Sequence, residues 1–257
     1  MSLFIVVSAS NEQNFEGTGP PWKDLFPKPR DELWNARANL WRHVAHAMTL
    51  PSRDLQGLFQ ASGKELRDRR KLMEEFPHQP TAPGFLRYKA PWIKAMMKFG
   101  REQQKQDLIA RGIYLLSPGF GVTQLSEWIP IDPLSQMSFV AGLGQIREFW
   151  RKEIPSILLR NQNKETKILN LSEDSEDNIL KSPTLRSQVL SIALTTQGQT
   201  ARTGISKLFE LAPDQTMNWI LKILDRNATG MEQIDQCASE SGFTLTSCDL
   251  NTLTLAI

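Results

Sequence analysis

Between Leu108 and Met137 the chain reads LIARGIYLLSPGFGVTQLSEWIPIDPLSQM, and this stretch most narrows what the remainder can fold into. Ile113, Tyr114, Leu115 and Leu116 are an apolar run too short for a helix, bounded by Gly112 and Ser117-Pro118-Gly119. That pattern predicts a buried strand. Its exit, Ser117-Pro118-Gly119-Phe120-Gly121, predicts a turn whose glycines permit positive φ and a close backbone approach to a ligand. Trp128-Ile129-Pro130-Ile131-Asp132-Pro133 then has to run extended, because each proline drives the residue before it out of the helical region. A strand feeding such a turn fits two descriptions, a core strand with a tight bend or the edge of an α/β ligand site.

The other segments set the fold class. Leu3 to Val7 is apolar throughout and predicts a central strand buried on both faces, followed by a proline-rich irregular segment. Trp34, Ala38, Trp41, Ala45 and Met48 recur at helical spacing within 31–48. A short helix from Ser52 to Phe59 and one from Ser62 to about Glu75 form a helical hairpin over about 50–76, with Ser62 and Glu65 spaced as a capping box. Pro77 to Pro83 reads as a linker, and Pro91 opens a helix that reaches the central strand near Arg111. Further helices are expected at 145–159, 201–211 and 217–227, the last capped by Asp214, and an acidic helical start at 172–177. Strands are expected at 167–171 and 187–194, a polar loop at 195–200, and a half-exposed terminal hairpin from 243–246 and 252–255. The sum is an α/β fold, a mixed sheet with surrounding helices in one unit over 1–257.

Composition then limits function. A net charge of +2 over 257 residues announces no nucleic-acid partner from the total, so only a local cluster can do so. One exists: Lys64, Arg67, Arg70 and Lys71 on the second arm of the hairpin, suited to phosphate contact or to a solvated surface. No run is long enough to span a bilayer and the first residues lack a basic leader, so no membrane partner and a cytoplasmic location are expected. Cys237, in a helical stretch, and Cys248, in a turn, make neither metal spacing nor a disulfide framework. His43 and His46 lie three apart with no third ligand marked, and no GxGxxG, P-loop, GxSxG, HExxH or CxxC occurs. No cofactor or metal is expected, and no catalytic residue is assigned.

Several short matches occur in order: Ser8-Ala9 closing the first strand, Ser62-Gly63-Lys64 in the hairpin, Tyr88-Lys89, Leu116 to Val122, Phe149-Trp150, Asn170-Leu171 and Ala201-Arg202. Together they resemble the YaaA family of bacterial peroxide-stress proteins along almost the whole chain. The resemblance implies one compact mixed α/β unit, a helix-hairpin-helix-like element, and a positively charged cleft that binds DNA. It carries over Ser62, Lys64, Lys89, Ser117, Gly121 and Arg202. Departures matter: Ala9-Ser10-Asn11 stands where the family has Pro-Ala-Lys, and Gln199 and Thr200 where it has two lysines. Gln124-Leu125-Ser126-Glu127 replaces the family's Arg-Pro-Leu-Asp. Each lost cation removes a phosphate contact. The expectation is a DNA-binding protein in DNA protection or stress response. The hairpin, with Lys89 and Arg202 in an adjoining cleft, holds the backbone. The alternative is a DNA-modification enzyme, for example of the deazaguanine type. In that case the turn of Ser117, Gly119, Phe120 and Gly121 cradles a base, which stacks on Phe120 or Trp128.

Overall fold

The computed structural model describes residues 3–9, 12–25, 32–160, 167–172, 180, 182–185, 188–196, 199–249 and 252–256. In chain order, β1 (Leu3–Ser8) leads through α1 (Trp22–Leu25) to α2 (Glu32–Ala47), α3 (Ser52–Phe59) and α4 (Gly63–Glu74). A short strand, β2 (Ala82–Pro83), precedes α5 (Gly84–Arg87), α6 (Pro91–Glu102) and α7 (Gln106–Gly112). The hairpin β3 (Ile113–Ser117) and β4 (Gly121–Gln124) follows, then the small strands β5 (Trp128–Ile129), β6 (Phe139–Val140) and β7 (Gly144–Gln145). After α8 (Ile146–Arg160) come β8 (Lys167–Asn170), β9 (Val189–Thr196) and β10 (Gln199–Arg202). The chain closes with α9 (Ile205–Leu211), α10 (Pro213–Arg226), α11 (Met231–Ser239), β11 (Thr244–Asp249) and β12 (Thr252–Ala256).

Eight strands make one mixed sheet in the order β11-β12-β9-β8-β1-β3-β4, with β10 also paired to β9. β1 lies parallel to both β3 and β8, and β8 and β12 lie parallel to β9; the β3–β4, β9–β10 and β11–β12 pairs are antiparallel. Consecutive side chains of a strand face opposite ways, yet Ile5, Val6 and Val7 are all fully buried, so both faces of the sheet are covered. This is the α/β mixed sheet that the apolar run at 3–7 predicts. The chain builds β3 and β4 on one side of β1 and later adds β8 and β9 on the other. Strand order therefore reverses at β1, where open α/β sheets leave a crevice at the strands' carboxyl ends.

The helical hairpin is present, with α3 packed against α4 across Gln60, Ala61 and Ser62. Several local expectations are corrected. Ser62 is the N-cap of α4, but its side chain makes no capping bond; Glu65 instead accepts from the Arg69 guanidinium at 2.9 Å. An available i,i+4 cation outcompetes the box. The proline-rich 77–83 stretch is no linker. Gln79 and Thr81 are buried, β2 pairs with β5, and the Gly19 amide donates to the Thr81 carbonyl at 2.9 Å. Composition marked the prolines but not the partners that satisfy the backbone between them. The helix opened by Pro91 ends at Glu102, and Gln104 (φ 55°) turns the chain into a separate α7.

Residues 195–196 and 199–202 are strand rather than a polar loop and the start of a helix. β9 runs on to Thr196 and β10 pairs back on it, leaving Arg202 opposite Ala193 on a strand, with α9 starting only at Ile205. Asp214 lies inside the first turn of α10, whose N-cap is Ala212. Cys248 stands on β11 rather than in a turn. The terminal hairpin is less exposed than its alternation implies: β12 pairs with β9, burying Leu253, Thr254 and Leu255. The 173–179 segment, most of the expected acidic start, lies outside the described residues.

Candidate functional site

A cavity of about 1080 Å³ opens where β1 and β3 end, lined by Ser8, Ala9, Leu116 and Pro118 from the strand exits. Its other walls are Glu12 and Gln13, the Tyr88-Lys89 pair ahead of α6, the 131–136 arm, and one side of α4. The size is that of a small-molecule site.

Asp132 ties the turn to the arm. Its Oδ2 accepts from the Ser117 hydroxyl at 2.5 Å and the Gly119 amide at 2.8 Å, and Oδ1 accepts from the Leu134 amide at 3.1 Å. Gln13 grips the same residue by its backbone, donating to the Asp132 carbonyl at 2.7 Å and accepting from its amide at 2.8 Å. The Trp150 indole donates to the Pro118 carbonyl at 2.6 Å. These bonds fix the turn in one shape. A Cβ on Gly119 would sit 2.6 Å from Asp132 Oδ1 and 2.7 Å from the Trp41 ring. Gly121 takes φ +67°, and a Cβ there would meet the Trp150 ring at 2.8 Å. The turn needs its glycines, but for approach to Asp132, Trp41 and Trp150.

Burial pushes the Asp132 carboxyl from 3.8 up to about 6, with the bonds from Ser117, Gly119 and Leu134 opposing that rise. The folded form therefore binds this proton more tightly than the unfolded chain. Asp132 favours folding most below about pH 4, and that contribution is lost as pH rises through about 6. The expected loss is about 3 kcal/mol. Urea unfolding of the wild type and Asp132→Asn between pH 4 and 7 tests it: wild type should lose stability relative to the variant, and a constant difference would refute the assignment.

Tyr88 borders the same cavity. It is buried, its hydroxyl lies beside that of Ser117 without hydrogen-bond geometry to any described group, and burial drives its pKa well above the usual phenol value. It stays an O–H donor at any physiological pH. Lys89 is held by its amide donating to the Glu12 carbonyl at 3.0 Å and also lines the cavity.

The predicted residues divide. Lys89 reaches the cavity and its neighbours Leu116 and Pro118 bracket Ser117, which is itself fully buried under Asp132. Ser62, Lys64, Arg67, Arg70 and Lys71 are exposed and none lines the cavity; α4 presents Glu65, Asp68, Arg69 and Leu72 to it instead. Arg70 is also paired with Glu74 at 3.1 Å. Arg202 stands on β10 opposite Ala193, and its side chain lies outside the described part of the structure. Lys64, Arg67, Arg70 and Lys71 thus point away from the cavity, and α4 turns Glu65, Asp68 and Arg69 toward it.

Phe120 is fully buried, with its ring centroid 5.3 Å from Trp22 and 5.5 Å from Trp41, so it offers no face to a base. Trp128 is 40% exposed but borders a separate cavity of about 640 Å³ with Trp34 and Tyr114. His43 Nδ1 bonds the Asn39 carbonyl at 2.9 Å, and among the described residues no three His, Cys, Asp or Glu side chains gather as a metal site.

Sequence reading missed Asp132, Tyr88, Asp68 and Gln13. Only Asp132 carried a signal, as the one charge in the proline-bounded run Pro130-Ile131-Asp132-Pro133. Compared with known proteins, the chain matches no family model and no curated protein.

Proposed function

We propose that this is a DNA-binding protein of the YaaA-like type, acting in the cytoplasm, that holds phosphate on the outer side of α4 and admits a single base to the cavity behind it. One observation carries this: α4 divides its charges, with Lys64, Arg67, Arg70 and Lys71 outward and Glu65, Asp68 and Arg69 toward the cavity. A polyanionic backbone gains from the first face and is repelled by the carboxylates of the second, whereas an uncharged base is not. The departures from the family pattern agree, since Asn11 and Gln199-Thr200 stand where the family has lysines.

Anisotropy titrations of a labelled duplex over a range of salt concentrations test the outer face. Neutralising Lys64, Arg67 and Lys71 together to Gln should lower the slope of log affinity against log salt by about 2 to 3. Arg70→Gln alone should change it by less than about 1, because Glu74 already neutralises Arg70. An unchanged slope in the triple variant would overturn the assignment.

Chemical modification of the admitted base is the second reading. A carboxyl near pH 6 at the cavity wall favours it, being poised for proton transfer. Against it, both Asp132 oxygens already accept from the protein's own donors. Nucleoside mass spectrometry of DNA incubated with the protein separates the two; an unaltered profile leaves binding alone.

A further inference from the structure

Phe15 is the most exposed large apolar side chain among the described residues, at 63%, and it lines the cavity behind α4. Trp22, Trp41, Phe76 and Phe120, by contrast, pack on one another in the core. A single exposed phenyl ring on a loose loop would need no explanation. This one stands on a backbone that is held.

The segment that carries Phe15 runs antiparallel to residues 87–89. The Asn14 amide donates to the Arg87 carbonyl at 2.7 Å, Gln13 bridges to Tyr88, and the Lys89 amide donates to the Glu12 carbonyl at 3.0 Å. Gln13 is also fastened by its side chain to the Asp132 backbone. The buried Arg87 guanidinium then donates to the Asn14 carbonyl and, at 3.2 Å, to the Glu16 carbonyl, so the chain is pinned on both sides of Phe15. The Glu16 amide adds a bond to Asn14 Oδ1 at 3.3 Å. A residue ordered in this way loses little conformational freedom when its side chain meets a ligand. An apolar ring kept in water at a cavity rim, on a backbone already fixed, is suited to stacking on a flat partner.

Resting on the base-admitting reading above, we infer that Phe15 is a stacking platform at the cavity mouth that takes the face of an unstacked base, so that the nucleic acid recognised there is single-stranded. In a duplex both faces of each base are covered by its neighbours, and none is free to lie on a side chain. Stacking on a phenyl ring tolerates every base, so the contact adds affinity for a strand without selecting its sequence.

Anisotropy titrations of the full chain with a labelled single-stranded DNA oligonucleotide, and with a strand of the same length carrying abasic sites throughout, test this. Both strands have the same phosphates, and only one has bases. Phe15→Ala should weaken binding of the base-bearing strand by about tenfold and leave that of the abasic strand unchanged. Phe15→Tyr, which keeps the ring, should behave as the wild type. Leu86 is 52% exposed and does not line the cavity, so Leu86→Ala should change neither affinity. Equal losses on the two strands, no loss on either, or a loss of the same size in Leu86→Ala would each overturn the inference. No binding of either strand by the wild type would end the DNA-binding reading and the inference with it. Otherwise the two fail separately: a Phe15 effect confined to the base-bearing strand, beside an unchanged salt slope in the α4 triple variant, would sink the phosphate role of α4 and leave the platform standing.

Discussion

Arg87→Met is expected to destabilise the protein by about 4 kcal/mol. Arg87 is fully buried at the end of α5, and its guanidinium serves backbone carbonyls alone. It donates to Asn14, to Glu16 at 3.2 Å, to Pro80 at 2.8 Å and to Ile129 at 3.3 Å. Four carbonyls from three separate segments share one cation, and burial lowers its pKa with no carboxylate to oppose the shift. Methionine fills much of the volume but leaves those carbonyls without their donor, each at a cost of about 1 kcal/mol or more. The same segments carry Gln13 and the 131–136 arm, so the cavity should loosen as well. Urea unfolding measures the first effect; a loss below about 1 kcal/mol would mean that water or rearrangement replaces the guanidinium.

Arg37→Met should cost about 3 to 5 kcal/mol, for a related reason. From α2, Arg37 reaches the far side of the turn, donating to the Phe120 carbonyl at 2.7 Å and the Val122 carbonyl at 3.0 Å while pairing with Glu127. Its side chain is fully buried whereas Glu127 is 25% exposed. Removing the arginine therefore strands two carbonyls and a half-hidden carboxylate together. Glu127→Gln should cost less, about 1 to 2 kcal/mol, because the carbonyls keep their donor and glutamine can still accept. Equal losses in the two variants would show that the ion pair, not the backbone clamp, dominates. Chemical denaturation of both variants with matched transition slopes decides between these outcomes.

These two arginines show where sequence reading stops. At 37 and 87 a lone arginine in a helical stretch looks like any solvated cation, because most of the carbonyls it serves are distant in the chain, Phe120 lying 83 residues from Arg37 and Asn14 73 residues from Arg87. The strand at 113–116, by contrast, is plain from its apolar run, since a strand covered on both faces has no polar side to show. The Ser117 to Gly121 turn was legible as a turn, yet its purpose was not: the glycines make room for Asp132, Trp41 and Trp150, none of them a turn neighbour. On α4 the cations were correctly seen, while the direction they face depended on which side of the helix meets the 131–136 arm.

Local chain chemistry alone determined the β1 and β3 strands, the α3–α4 hairpin, the proline start of α6 and the extended arm, because apolar periodicity and fixed φ values act within a few residues. Tertiary structure alone decided which side groups share a wall: Asp132 under the turn, Tyr88 with an unanswered hydroxyl, and carboxylates rather than lysines facing inward from α4. Such groupings arise from contacts between segments distant in the chain, and side-chain spacing along a sequence holds no record of them.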